Sequence, residues 1–365
     1  MKKIYILTLF LLSGVIAYGI EGDGSSGNPY YGTISNSVTW NSSETPGTII
    51  YVGQSGGNED LTIDDGGHLT IGGGTTIIFT QATSDLIITG TGRITAGASA
   101  GNEITFTKAS GNANWGHISF QSMGAAGSSL FDHCIIEYGD VSSTSLSNRY
   151  GGGIHIDFSD LTISNCELSN NKAGWGGGIF VNSGENPAIS NCLIKNNIST
   201  VVGGGIYLWD GTSSSISNCI IESNTAQGIA GGGGIWIGKE AGNVIVINSV
   251  ILNNTAPDDG ENLVLRQNTG TLKPQIINSI IWGSDNPIAY SNQTFSAQDF
   301  VNCAISNYDI SSYTNCISIN SSNTAPNGPN FVDPSGSDWS ITFISPCRDA
   351  GTDTDAPATD YNGNG

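Results

Sequence analysis

Four times this chain writes three glycines followed by isoleucine, at Gly151–Ile154, Gly176–Ile179, Gly203–Ile206 and Gly232–Ile235. The isoleucines are 25, 27 and 29 residues apart. A second phrase follows each run: Ile163-Ser164-Asn165-Cys166, Ile189-Ser190-Asn191-Cys192, Ile216-Ser217-Asn218-Cys219 and the degraded Val246-Ile247-Asn248-Ser249. A period of this length marks a solenoid, in which one repeat cannot bury its apolar face alone and must stack on its neighbours. The repeat constrains architecture strongly and function weakly.

Alternation within one repeat shows how a coil is built. Leu161 and Ile163 point inward, Asn165 makes a bend, and Cys166 and Leu168 point inward on the next face. Three short strands and three turns then make one coil, and coils stack by parallel pairing at about 4.8 Å. Stacking aligns Asn165, Asn191, Asn218, Asn248, Asn278 and Asn302, which are expected to form an amide ladder in a buried turn. The glycine runs allow unusual φ or close packing at the opposite corner. Cys166, Cys192 and Cys219 share one column and read as small core residues, although seven cysteines in an exported chain also admit disulfides. From Thr48 onward short β-rich runs are separated by Gly, Asn or Asp, with no helical periodicity.

The flanks set compartment and charge. Lys2-Lys3, the apolar Ile4–Ile16 and Ala17-Tyr18-Gly19 form a secretory signal peptide over residues 1–19. Residues 20–44 are expected to be a cap or lead-in, 45–325 the solenoid, and 326–365 a closing segment that stops abruptly. The protein is therefore expected outside the cell or on its surface, and no later stretch is long and apolar enough for a membrane helix. Of 11 Lys+Arg two lie in the leader, leaving 9 against 31 Asp+Glu. Such a surface disfavours nucleic acid and anionic lipid, and a monomer is expected.

The glycine step and the Leu168-x-x-Asn171, Ile194-x-x-Asn197, Ile221-x-x-Asn224 and Ile251-x-x-Asn254 steps resemble the repeats of polymorphic outer-membrane proteins. An aliphatic residue stands here where that family has an aromatic. Trp115-Gly116-His117-Ile118-Ser119-Phe120, and the segment from Asn330 to Gly363, are similar to secreted bacterial β-helix proteins. The resemblance implies an all-β, right-handed parallel β-helix of roughly ten coils. It implies no particular activity.

Candidate function rests on the strand after each glycine run. If the flanking aliphatics face inward, His155, Phe180, Tyr207 and Trp236 form an outward row, with Trp209 and Asp210 beside them. An exposed aromatic row suits the flat faces of sugars or a partner surface, and also suits plain cross-coil stacking. The leading expectation is a non-catalytic extracellular module for adhesion or contact with a polysaccharide or cell-surface partner. A polysaccharide lyase or glycoside hydrolase is the alternative, and a structural spacer the second.

For an enzyme, Asp64-Asp65-Gly66-Gly67-His68 is superficially similar to elements of polygalacturonases, which share this fold, but it lies in one turn. His155, Asp157 and Asp160 near Arg149 offer the other mixed acid–base group. No catalytic residue is assigned. No metal spacing is present; loosely held Ca²⁺ at Asp353, Asp355 and Asp360 is the one cofactor left open.

Overall fold

The computed structural model describes residues 20–341 outside 54–59, 122–128, 144–148, 158–159, 183–185, 210–211, 239–242, 259, 267–273, 284–285, 292–298, 312, 325–327 and 334–337, together with residues 345 and 347. The expected signal peptide, Asp210 and the acidic Asp353, Asp355 and Asp360 lie outside the described residues. Within them every regular element is a strand.

β-Branched residues at alternate positions and a left-handed residue at each bend from the second sheet to the third wind the chain through three long sheets. The first has 11 strands, from Ile20–Glu21 to Ile288–Ser291. The second has 10, from Ser37–Trp40 to Phe300–Val301. The third has 11, from Thr48–Val52 to Ile317–Ile319. Pairing is parallel and in register, as in Ile154↔Ile179, Ile179↔Ile206 and Ile206↔Ile235. This is a parallel β-helix, as the repeat predicts. Ile154, Ile156, Ile163, Leu168, Ile179, Val181 and their equivalents are fully buried in one continuous core.

The ends are closed by different means. Ile20–Glu21 runs antiparallel to Tyr31-Gly32, and Tyr30 stacks on Trp40 at 5.4 Å. At the far end Tyr308, Ile310 and Tyr313 pack against the core, Tyr313 lying 4.9 Å from Phe300. Phe331 does not plug the bore. It packs on the outer face of the third sheet, 5.4 Å from Trp282, whose Nε1 donates to the Asn320 carbonyl at 2.9 Å.

The asparagine column bears out the sequence reading in part. Asn165, Asn191, Asn218, Asn248, Asn278 and Asn302 do make the bend, with φ between 49° and 53°. Asn tolerates this left-handed region, which costs most L-residues about 1–2 kcal/mol. Their amides pair in part: Asn218 donates to Asn191 Oδ1 at 3.1 Å and Asn302 to Asn278 Oδ1 at 3.3 Å, and both donors are buried, whereas Asn165 is exposed and donates to Asp132 Oδ1 at 2.7 Å. A second ladder, fully buried and continuous, runs through Asn171, Asn197, Asn224, Asn254 and Asn262. Asn197 Oδ1 accepts both the backbone N–H and a side-chain N–H of Asn171 at 3.0 Å. The Asn197 side chain donates to the Leu168 carbonyl at 2.9 Å and to Asn224 Oδ1 at 3.0 Å. The pattern continues through Asn254 and Asn262 and closes on the Trp282 carbonyl at 3.0 Å.

The same ladder explains the glycine runs. In Gly176-Gly177-Gly178 the first glycine has φ +65°. A Cβ on the second would sit 2.3 Å from the Gly204 carbonyl oxygen. A Cβ on the third would sit 3.1 Å from Asn197 Nδ2. The glycine run and the x-x-Asn step are therefore the two halves of one contact.

Cys134, Cys166, Cys192, Cys219 and Cys303 are buried and free. Each of Cys166, Cys192 and Cys219 donates to the carbonyl two residues earlier, at 3.0, 3.1 and 3.2 Å. Ser249 and Ser279 take the same column and donate likewise, at 2.9 and 2.7 Å. Burial pushes the thiols of Cys166, Cys192 and Cys219 well above the usual cysteine range, which keeps them protonated.

Replacing Asn197 with Leu orphans two buried donors of Asn171, at about 1–3 kcal/mol each. Asn197→Leu is expected to lose roughly 3 kcal/mol or more in urea unfolding. Asn165→Gly keeps the left-handed bend and is expected to lose less than about 1 kcal/mol. Equal losses would place the supporting amide in the wrong column.

Candidate functional site

The candidate site grows from the first sheet. Strands Ile154–Ile156, Ile179–Val181, Ile206–Leu208 and Ile235–Ile237 bury their outer two residues and turn the central one away from the core. Register then aligns His155↔Phe180, Phe180↔Tyr207 and Tyr207↔Trp236. The rings touch in sequence, at 5.3 Å edge-on for His155–Phe180 and stacked at 5.2 and 4.5 Å for the next two pairs. The row predicted from alternation is continuous.

It is not exposed. Phe180, Tyr207 and Trp236 retain only 3, 3 and 4% of their surface. The cause is a fourth sheet between the asparagine step and the glycine run, built from Lys172–Trp175, Ile198–Val202 and Thr225–Ala226. Val202, Trp175 and Tyr150 join the row in a second apolar cluster. Tyr150 lies 4.5 Å from Phe180 and 5.2 Å from Trp175. Three strands per coil, as the alternation predicts, leave no place for this fourth one. The β-branched run Ile198-Ser199-Thr200-Val201-Val202, and a large apolar residue before three of the glycine runs, carried the signal.

What remains accessible is the rim. Trp209 is 38% exposed and packs 5.5 Å from Tyr207 and 6.3 Å from Phe180. Tyr150 and Trp175 are half-buried, and Ile229 stands 78% exposed at a glycine-rich tip beside Val201. Two cations flank the cluster: Arg149 Cζ lies 5.7 Å from the Trp175 ring and Arg266 Cζ 5.5 Å from the Trp236 ring.

The acid–base groups are spread out. Asp64 Oδ1 accepts from the Asp65 N–H at 2.7 Å, and Asp65 Oδ1 accepts from the Thr91 N–H of the next coil at 2.8 Å. These carboxylates pin turns. His68 sits on the second sheet and bonds Thr95 Oγ1 at 2.9 Å. Asp157 accepts from the Asn182 amide, Asp160 is exposed, and Arg149 forms no ion pair with either among the described residues. His155 Nδ1 lies 3.4 Å from Ser119 Oγ, a buried hydroxyl that already accepts from Gln121. Among the described residues no three His, Cys, Asp or Glu side chains are grouped to hold a metal, and no helix is long and apolar enough to cross a membrane.

Burial, with the charge of His117 behind it, pushes the His155 imidazole down to about 3. The folded state then keeps the ring neutral, while the unfolded chain binds a proton below its ordinary value of 6.5. This contribution to stability is complete above about pH 6.5 and is lost as pH falls toward 3. Between pH 7 and pH 4.5 His155→Phe is expected to lose about 1–2 kcal/mol less than wild type in urea unfolding. Parallel losses in the two proteins would show that His155 accepts its proton while folded.

Comparison with known proteins bears on the fold. A family model described as the right handed beta helix region matches residues 12–216 and 104–293. Searches of curated proteins and of solved structures gave no match. The two matched spans cover most of the chain and contain the whole aromatic cluster, so the chain belongs to the right handed beta helix region family.

Proposed function

We propose that the protein is an exported, non-catalytic β-helix module that contacts saccharides through the aromatic rim of its first sheet. The observation that carries this reading is Trp209. It is a large exposed indole held against Tyr207 and Phe180, which are themselves locked in a buried stack. A flat ring on a rigid bed loses little entropy on meeting a sugar face, and that preorganisation favours binding. Sugar contact belongs to Trp209, Tyr150 and Trp175. Phe180, Tyr207 and Trp236 support them from below. The signal-peptide pattern of residues 1–19 and the outer-membrane-protein-like repeats support export and surface display.

A second reading is favoured by the burial of Phe180, Tyr207 and Trp236, which act as cross-coil glue in a spacer. The two readings separate on Trp209. An exposed side chain off the core changes stability by about 0.5 kcal/mol or less when replaced. Trp209→Ala is expected to weaken glycan-array binding about tenfold, the loss of one aromatic contact, with the melting temperature nearly unchanged. Wild type that binds no glycan on the array would favour the spacer. Bond cleavage in acidic polysaccharides would favour a lyase or hydrolase instead.

A further inference from the structure

The rim carries one cation whose placement has no internal explanation. The Arg149 carbonyl accepts the N–H groups of Gly174 and Trp175 at 2.9 and 3.0 Å, fixing its backbone to the fourth sheet. A Cβ at Gly174 would lie 2.9 Å from Arg149 Cβ and 3.0 Å from its Nε, so glycine makes room for the side chain to lie over the strand. The guanidinium then sits over Trp175, and Nη2 donates to Thr200 Oγ1 at 2.8 Å. Its Nε is buried without an acceptor among the described residues. Among the described residues the ion pairs are His133–Asp132 and Lys195–Glu167, and neither involves Arg149.

A buried guanidinium N–H with no acceptor is costly, and in a chain with 31 Asp+Glu a carboxylate partner was readily available. The fork is held instead by neutral groups, a ring face and a hydroxyl. The residue as a whole is half-buried, so an acceptor from outside meets the outer edge of the fork, not the buried Nε. Guanidinium matches planar and tetrahedral oxyanions with paired donors, which an ammonium does not.

We propose that Arg149 anchors an anionic substituent, a carboxylate or sulfate ester, on a saccharide whose ring lies against Trp175 and Tyr150. This deepens the saccharide-contact reading and rests on it. The net charge of −20 opposes a polyanion at long range. That repulsion is screened beyond about 8 Å at physiological salt, whereas the contact at Arg149 is not.

The test uses the full chain and four probes in calorimetric titration: a heparin-derived hexasaccharide, its desulfated form, its carboxyl-reduced form, and the form lacking both groups. Wild type is expected to bind an acidic form about tenfold more tightly than the uncharged one, the scale of one charge-assisted contact. The single-group probes tell sulfate from carboxylate. Arg149→Gln is expected to abolish the preference, and Arg149→Lys to restore part of it. Trp209→Ala is expected to weaken all forms alike. Equal affinity of wild type for charged and uncharged forms, or a preference that survives Arg149→Gln, overturns the role of Arg149 alone. Binding of none of the four overturns the saccharide reading with it. Arg149→Gln is checked against wild type by melting temperature, and if it unfolds, the Arg149→Lys titration decides.

Discussion

A buried carboxamide holds each well-formed repeat to the next. Asn197 uses its oxygen twice and both amide hydrogens once each, so nothing polar is left unpaired inside the turn. Its Nδ2 face presses on the third glycine of the run, where any side chain would collide. Neither half works alone. An alanine at Gly178 would push the amide out of line, and an apolar residue at Asn197 would leave the neighbouring coil with donors facing nothing. Period, glycine run and x-x-Asn step are thus one device written in two places.

That device also shapes the surface. The chain leaves the ladder at Asn171, Asn197 and Asn224 and runs straight into the fourth sheet before reaching the glycines. Those strands lie beside the first sheet and cover its outward row. Phe180, Tyr207 and Trp236 become a second core outside the first. Exposure is left at the margin, at Trp209, Trp175, Tyr150 and Arg149. In the reading proposed above, recognition uses these rim members of the cluster and stability the buried ones.

Much of this was legible in the sequence. The coil, the inward aliphatics, the left-handed bend at Asn165 and the register of His155 with Phe180, Tyr207 and Trp236 follow from alternation and period. The partial ladder at Asn191–Asn218 and Asn278–Asn302 is legible too, but the fully buried one through Asn197 is not set apart from it, because both asparagine columns repeat with the same period. Period does not tell a bend at the surface from a buried turn. Exposure of the row was expected because alternation reports which side of a strand a residue takes, not what lies over that side. Only the pairing of Lys172–Trp175 with Ile198–Val202, a contact between coils, decides that.

The most direct test of the account follows the side-chain amide protons by nitrogen-edited NMR during exchange into heavy water. If the ladder carries the stacking, the Nδ2 protons of Asn171, Asn197, Asn224 and Asn254 exchange only when the coils separate, far more slowly than those of the exposed Asn165, Asn170 and Asn196. Exchange of Asn197 Nδ2 at the rate of Asn196 Nδ2 would contradict it, because an amide open to water cannot be what locks one coil to the next.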